Sequence, residues 1–96
     1  MARLLEGDEL TRQVAELSGW EIVGNTLRTT ITFDTFLDGI RCVDVVAQEA
    51  EEMNHHPDID IRWRSITFAL STHDAGGITQ LDVELAHRIL SAAASE

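Results

Sequence analysis

The sequence has no lysine; its seven basic residues are all Arg, against seventeen acidic ones. The net charge of −10 repels phosphate backbones and anionic lipid, so no nucleic acid and no membrane is expected as a partner. A neutral or cationic small molecule suits this field better. Cys42 is the single cysteine, which excludes an internal disulfide and a multi-Cys zinc site. One proline, Pro57, and one glycine pair, Gly76–Gly77, leave no material for an interdomain linker. No segment is repetitive or low in complexity. No stretch approaches the roughly 18–20 apolar residues of a membrane span. The opening MARLLEGDEL has no long apolar run, so it does not read as a secretory signal, and the cytoplasm is the expected compartment.

What is present is ordinary for a folded chain: 96 residues, 44% hydrophobic and 25% charged. That length predicts one domain over residues 1–96 and no room for two. A chain this short hides only about 60–65% of its unfolded surface, so its own stability is modest and self-association would help.

Periodicity predicts the order α-β-β-α-β-β-α. Asp8 is the expected cap of a first helix striped by Leu10, Val14 and Leu17. A strand over Trp20–Val23 turns at Gly24–Asn25 into a second, Leu27–Phe33, with strict period-2 alternation. Asp34 is the expected cap of a long second helix, its stripe running Phe36, Ile40, Val43, Ala47, Ala50. Val45 and Val46 fall partly off that stripe and suggest a partner surface. Pro57 should stop the helix near Asn54–His56. Ile59, Ile61 and Trp63 alternate in a third strand, with a turn at Arg64–Ser65; Ile66, Phe68 and Leu70 alternate in a fourth. Thr79-x-x-Asp82 reads as a capping box opening a last helix striped by Leu81, Leu85 and Ile89. Two half-apolar hairpins and three amphipathic helices imply an α+β fold, a four-stranded antiparallel sheet with three helices on one face.

Three of the four histidines, His55, His56 and His73, fall within 19 residues. Glu51–His55 and Glu52–His56 are i,i+4 pairs, in reach of each other if the helix persists that far. A carboxylate partner fixes the tautomer of an imidazole and favours its protonated form, as does a helix C-terminus. Such a ring is suited to general acid–base work. His73 lies at the end of the fourth strand, before a glycine-containing loop, where sites tend to be built. Taken alone, His-His-Pro is more often a polar helix end than a site. Asp82 reads as a cap, Trp63 as core, Cys42 as a small buried hydrophobe and His87 as surface. Three His and a carboxylate are a zinc-ligand chemistry, but adjacent His residues rarely aim at one metal and no HExxH spacing is present, so no metal is assigned.

The run Glu51-x-x-x-His55-His56-Pro57, five residues, Trp63, nine residues, His73, eight residues, Asp82 resembles the signature of the pterin-4a-carbinolamine dehydratases. So do the words EEMNHHPDID and LSTHDAGGIT, and Gly19–Trp20 ahead of a strand; the likeness extends over about Asp8–Leu90. The resemblance implies a lyase that dehydrates 4a-hydroxytetrahydropterin to the quinonoid dihydropterin, recycling the pterin of aromatic amino-acid hydroxylases without metal or organic cofactor. It implies His55, His56 and His73 as the catalytic histidines, His55 and His73 transferring protons and His56 binding or assisting, with acid and base unassigned. Glu51 is expected to orient His55. Asn54, Pro57, Trp63, Ser71, Thr72 and Asp82 complete the expected substrate-binding or supporting set. Some family members carry Asp where this chain has Asn54. A homodimer or homotetramer formed through the second helix is expected. Two rival roles accompany the resemblance: a dimerisation or coactivator module, and a pterin-binding paralogue in molybdenum-cofactor metabolism.

Overall fold

The fold is given by a computed structural model that describes residues 2–96. Helix α1 spans Gly7–Ala15, strands β1 and β2 span Glu21–Val23 and Thr26–Thr32, and helix α2 spans Phe36–Met53. Strands β3 and β4 span Asp58–Arg62 and Ser65–Leu70, a 3₁₀ turn covers His73–Ala75, and helix α3 spans Gln80–Ala94. The expected α-β-β-α-β-β-α order is therefore the observed one. All strand pairs are antiparallel, in the order β1-β2-β4-β3.

Alternation divides the sheet into a dry and a wet face. Leu27 and Thr29 of β2 and Ile66, Phe68 and Leu70 of β4 are buried, packed with helix residues in one apolar cluster. The opposite face is polar, and there Thr30 and Thr67 share a hydroxyl contact of 2.8 Å across the β2–β4 pair. All three helices lie on the dry side. From α3, Val83, Leu85, Ala86 and Ile89 enter the core; Leu81, expected in that stripe, remains partly exposed.

Helix α2 sits about one residue, or roughly 100°, away from the expected azimuth. Its buried positions are Gly39, Cys42, Val46 and Ala50, whereas Phe36 is 54% exposed and Ala47 is exposed. The cause is Gly39. A Cβ there would come within 2.8 Å of Ile66 Cδ1 and 3.3 Å of Phe33, so the helix approaches the sheet through its glycine. An apolar-stripe reading gives a glycine no weight. Val46 is thus core, and the outward apolar residues are Phe36, Leu37 and Val45. Cys42 is fully buried as expected, and burial pushes its thiol up to about 11.

Two caps also differ by one or two residues from expectation. Thr35, not Asp34, caps α2, its Oγ1 accepting from the Asp38 N–H at 3.0 Å. Helix α1 begins after Glu6, and Asp8 sits in its first turn. Entry to α1 is set instead by buried Leu5, whose N–H donates to the Ile78 carbonyl at 2.8 Å.

Candidate active site

The C-terminus of α2 ends in a Schellman motif. Asn54 takes a left-handed conformation at φ 51°, its N–H donating to the Glu51 carbonyl at 3.1 Å, and the His55 N–H donates to Ala50 at 3.0 Å. Asn tolerates this region better than most residues. The sharp exit breaks both expected i,i+4 pairs and sends the two histidines to different partners. His56 turns back, and its Nε2 meets Glu51 Oε2 at the surface. His55 turns inward, and its Nε2 lies 2.6 Å from Asp82 Oδ1. Glu51 therefore orients His56; the carboxylate of His55 comes from α3.

Asp82 is completely buried, and each of its oxygens is engaged. Oδ2 accepts from the Thr72 hydroxyl at 2.8 Å and from the Thr79 N–H at 2.9 Å. Thr79 Oγ1 accepts from the Leu81 N–H at 3.2 Å and contacts Thr72 Oγ1 at 2.7 Å. The expected capping box is present. Beyond the cap, Asp82 ties the first turn of α3 to His55 and to the end of β4. A buried carboxylate needs hydrogen-bond partners, and here both oxygens have them.

Thr72 places the third histidine. It follows β4 and precedes His73, the first residue of the 3₁₀ turn. Its N–H donates to Gly77 O at 2.7 Å and its carbonyl accepts from Gly76 at 3.0 Å, which closes the loop carrying His73. Gly76 is left-handed at φ 78°, which favours glycine there, and Gly77 packs against Leu4, whose Cδ1 a Cβ would meet at 2.9 Å. Because Asp58 pairs with Ala69, Pro57 and His56 enter β3 at the sheet end where Ser71 and Thr72 leave β4. His55, His56, His73, Asn54, Pro57, Ser71, Thr72 and Asp82 therefore gather at one end of the sheet. His56 and His73 are exposed there and His55 is half-buried.

Trp63 does not join them. It occupies the β3–β4 turn with Arg64, at φ 53° and 85% exposed, at the other end of a five-residue strand. Five residues of strand span about 16 Å. The expected Ile59-Ile61-Trp63 alternation thus ends one step early, because the turn is Trp63–Arg64 rather than Arg64–Ser65. Arg64 braces the tip through its carbonyl, which accepts from the Phe33 N–H at 2.9 Å, and its guanidinium, which donates to Phe33 O at 3.2 Å. Thr79 is the residue the motif reading missed. Its signal lay in the capping box, whose carboxylate has a second oxygen free for another donor. His87 is exposed on α3, as expected. Among the described residues, no group of three or more His, Cys, Asp or Glu side chains is arranged to hold a metal ion. No helix among them is long and apolar enough to cross a membrane.

The fold and this end of its sheet define a class of small α+β proteins that carry histidines after a helix end and after a strand end, at the same end of the sheet. Residues 3–92 match the family model described as pterin 4 alpha carbinolamine dehydratase. A relative from Mycobacteroides abscessus is 54% identical over 86 residues, covering 90% of this chain and 92% of the relative. A relative from Mycobacterium tuberculosis is 51% identical with the same coverage, and both carry a provisional assignment as pterin-4-alpha-carbinolamine dehydratase. A crystal structure from Brucella melitensis, described as a transcriptional coactivator/pterin dehydratase, superimposes with a TM-score of 0.89 at 27% identity, covering 95% of this chain and 98% of that one. The chain belongs to the pterin-4a-carbinolamine dehydratase family.

Proposed function

We propose that this protein is a hydro-lyase that dehydrates 4a-hydroxytetrahydropterin to quinonoid dihydropterin and water, using histidines alone. The observation that carries the reading is the buried His55–Asp82 contact, linked through Thr72 to the loop of His73. The C4a hydroxyl is a poor leaving group until an acid protonates it. It then departs as water while a ring N–H gives up its proton to a base, so atoms and charge balance without an external reagent. One imidazolium and one neutral imidazole suffice for both transfers. Such help is worth about 10²–10⁴-fold in rate, or roughly 3–5 kcal/mol. His55 and His73 carry the transfers, and exposed His56, held by Glu51, contacts the pterin. Asn54, Pro57 and Ser71 shape the approach. Recycling of a hydroxylase pterin in the cytoplasm, by a one-domain chain acting as a homodimer or homotetramer, is the setting we assign. The deciding experiment is turnover of freshly generated 4a-hydroxytetrahydropterin beside His55→Ala, His56→Ala and His73→Ala. Uncatalysed rates with the unmodified protein sink the proposal.

A second reading, a binding module, is favoured by one observation: Phe36, Leu37 and Val45 of α2 stand outward. A strictly monomeric protein by light scattering at micromolar concentration counts against self-association through that face.

A further inference from the structure

Every proton in the network around Asp82 has one place to go. The Thr79 N–H points at Asp82 Oδ2 and, being backbone, cannot rotate away. The Thr72 hydroxyl also donates to Oδ2, since an ionised carboxylate only accepts. With its one hydrogen spent, Thr72 Oγ1 must accept from the Thr79 hydroxyl, 2.7 Å away. Thr79 Oγ1 in turn accepts from the Leu81 N–H. Asp82 Oδ1 is left facing His55 Nε2 alone. An ionised carboxylate oxygen only accepts, so the proton in that contact is on the imidazole nitrogen. The other ring nitrogen, Nδ1, has no hydrogen-bond partner among the described residues and is not among their buried unpaired atoms, so it opens to solvent.

We propose that Thr72 and Thr79 are positioning residues that lock the Asp82 carboxylate, hold resting His55 as its Nε2–H tautomer, and leave Nδ1 as the lone pair that takes a proton from substrate. The lock stands on this geometry alone; the role of Nδ1 rests on the dehydratase reading. It makes His55 the base and leaves the acid's part to His73.

The network also fixes what an amide would do in place of the carboxylate. In Asp82→Asn, the position facing the Thr79 N–H and the Thr72 hydroxyl must be filled by the amide oxygen. The NH₂ then faces His55 and donates to Nε2. The imidazole proton moves to Nδ1, the nitrogen meant to accept.

The test is long-range ¹H–¹⁵N correlation of the histidine rings, recorded up a pH series until the ring shifts are those of neutral imidazole. The unmodified protein should show His55 protonated on Nε2, and Asp82→Asn should show it protonated on Nδ1. An Nδ1–H tautomer in the unmodified protein, or an unchanged tautomer in folded Asp82→Asn, overturns the lock. Should Asp82→Asn not fold, the Thr72 pair decides. Thr72→Val should lose roughly two- to tenfold in kcat with KM little changed, and Thr72→Ser, which keeps the hydroxyl, should recover it. Equal kcat in Val and Ser variants overturns the positioning role of Thr72. The ring spectra need no turnover. An Nε2–H tautomer in a protein without dehydratase activity removes the catalytic reading and leaves the lock standing.

Discussion

His55 and His56 are neighbours in the chain, and each sets Nε2 against a carboxylate oxygen, yet the two couples differ in every other respect. The His55 and Asp82 side chains are 11% and 0% exposed, against 57% and 76% for His56 and Glu51. Asp82 accepts two further hydrogen bonds; Glu51 accepts none besides that of His56. The inner couple joins α2 to α3 and β4, while the outer couple spans five residues of one chain segment. Water screens the outer pair and competes for it, so it adds at most about 1 kcal/mol. Removing one member of the inner pair strands polar groups that water cannot reach. The same two functional groups thus make a structural joint in one place and an adaptable surface contact in the other.

The contrast breaks most visibly on deletion of the carboxylates. Asp82→Ala should lower unfolding stability by about 3–5 kcal/mol, because the cap, the Thr72 partner and the His55 partner go together. Glu51→Ala should cost under about 1 kcal/mol. Urea denaturation of the two variants measures the gap, and equal losses would dissolve the distinction. The histidines come next. His55→Ala and His73→Ala should each cut turnover by about tenfold or more, and His56→Ala by less. An equal loss at His56 would make the outer couple as important to the reaction as the inner one. Salt gives a smaller effect. Raising ionic strength to about 1 M shortens the screening length to about 3 Å, so the kinetic difference between Glu51→Gln and the unmodified protein should fade while that of Asp82→Asn persists. The smallest effect concerns the core under α2. Cys42, raised by burial to about 11, should stay protonated and unreactive toward thiol reagents in the folded chain. The unfolded thiol, near 9.0, ionises first, so stability should fall as pH rises from about 9 to about 11. Rapid labelling of native Cys42 at neutral pH would contradict the burial.

The same contrast explains what was legible in the sequence. Strands β2 and β4 alternate without interruption, and they appear within a residue of where period 2 puts them. The capping box of α3 was legible because Thr79 and Asp82 are three apart and interact locally. The pairing of the histidines was not. It turns on the hand of one residue, Asn54: Pro57 marks where the helix ends, but not the left-handed exit that sends the two histidines to different partners. The azimuth of α2 escaped for a related reason: it is set by a missing side chain, Gly39, against Ile66 of a distant strand. Trp63 alternates in phase with a strand it does not belong to, since nothing in Arg62-Trp63-Arg64 resembles a turn-forming pair. The three histidines were singled out by type and order along the chain, and the carboxylates of His55 and His56 were misassigned because partnership is a tertiary property.

The divided labour of the Asp82 carboxylate ties the candidate site to the fold through one side chain. One oxygen starts a helix and the other steadies a ring, so the first turn of α3 cannot fray while the ring keeps its place. The Thr79 amide proton becomes a natural gauge of the site: its rate of exchange into heavy water reports how often the whole assembly comes undone.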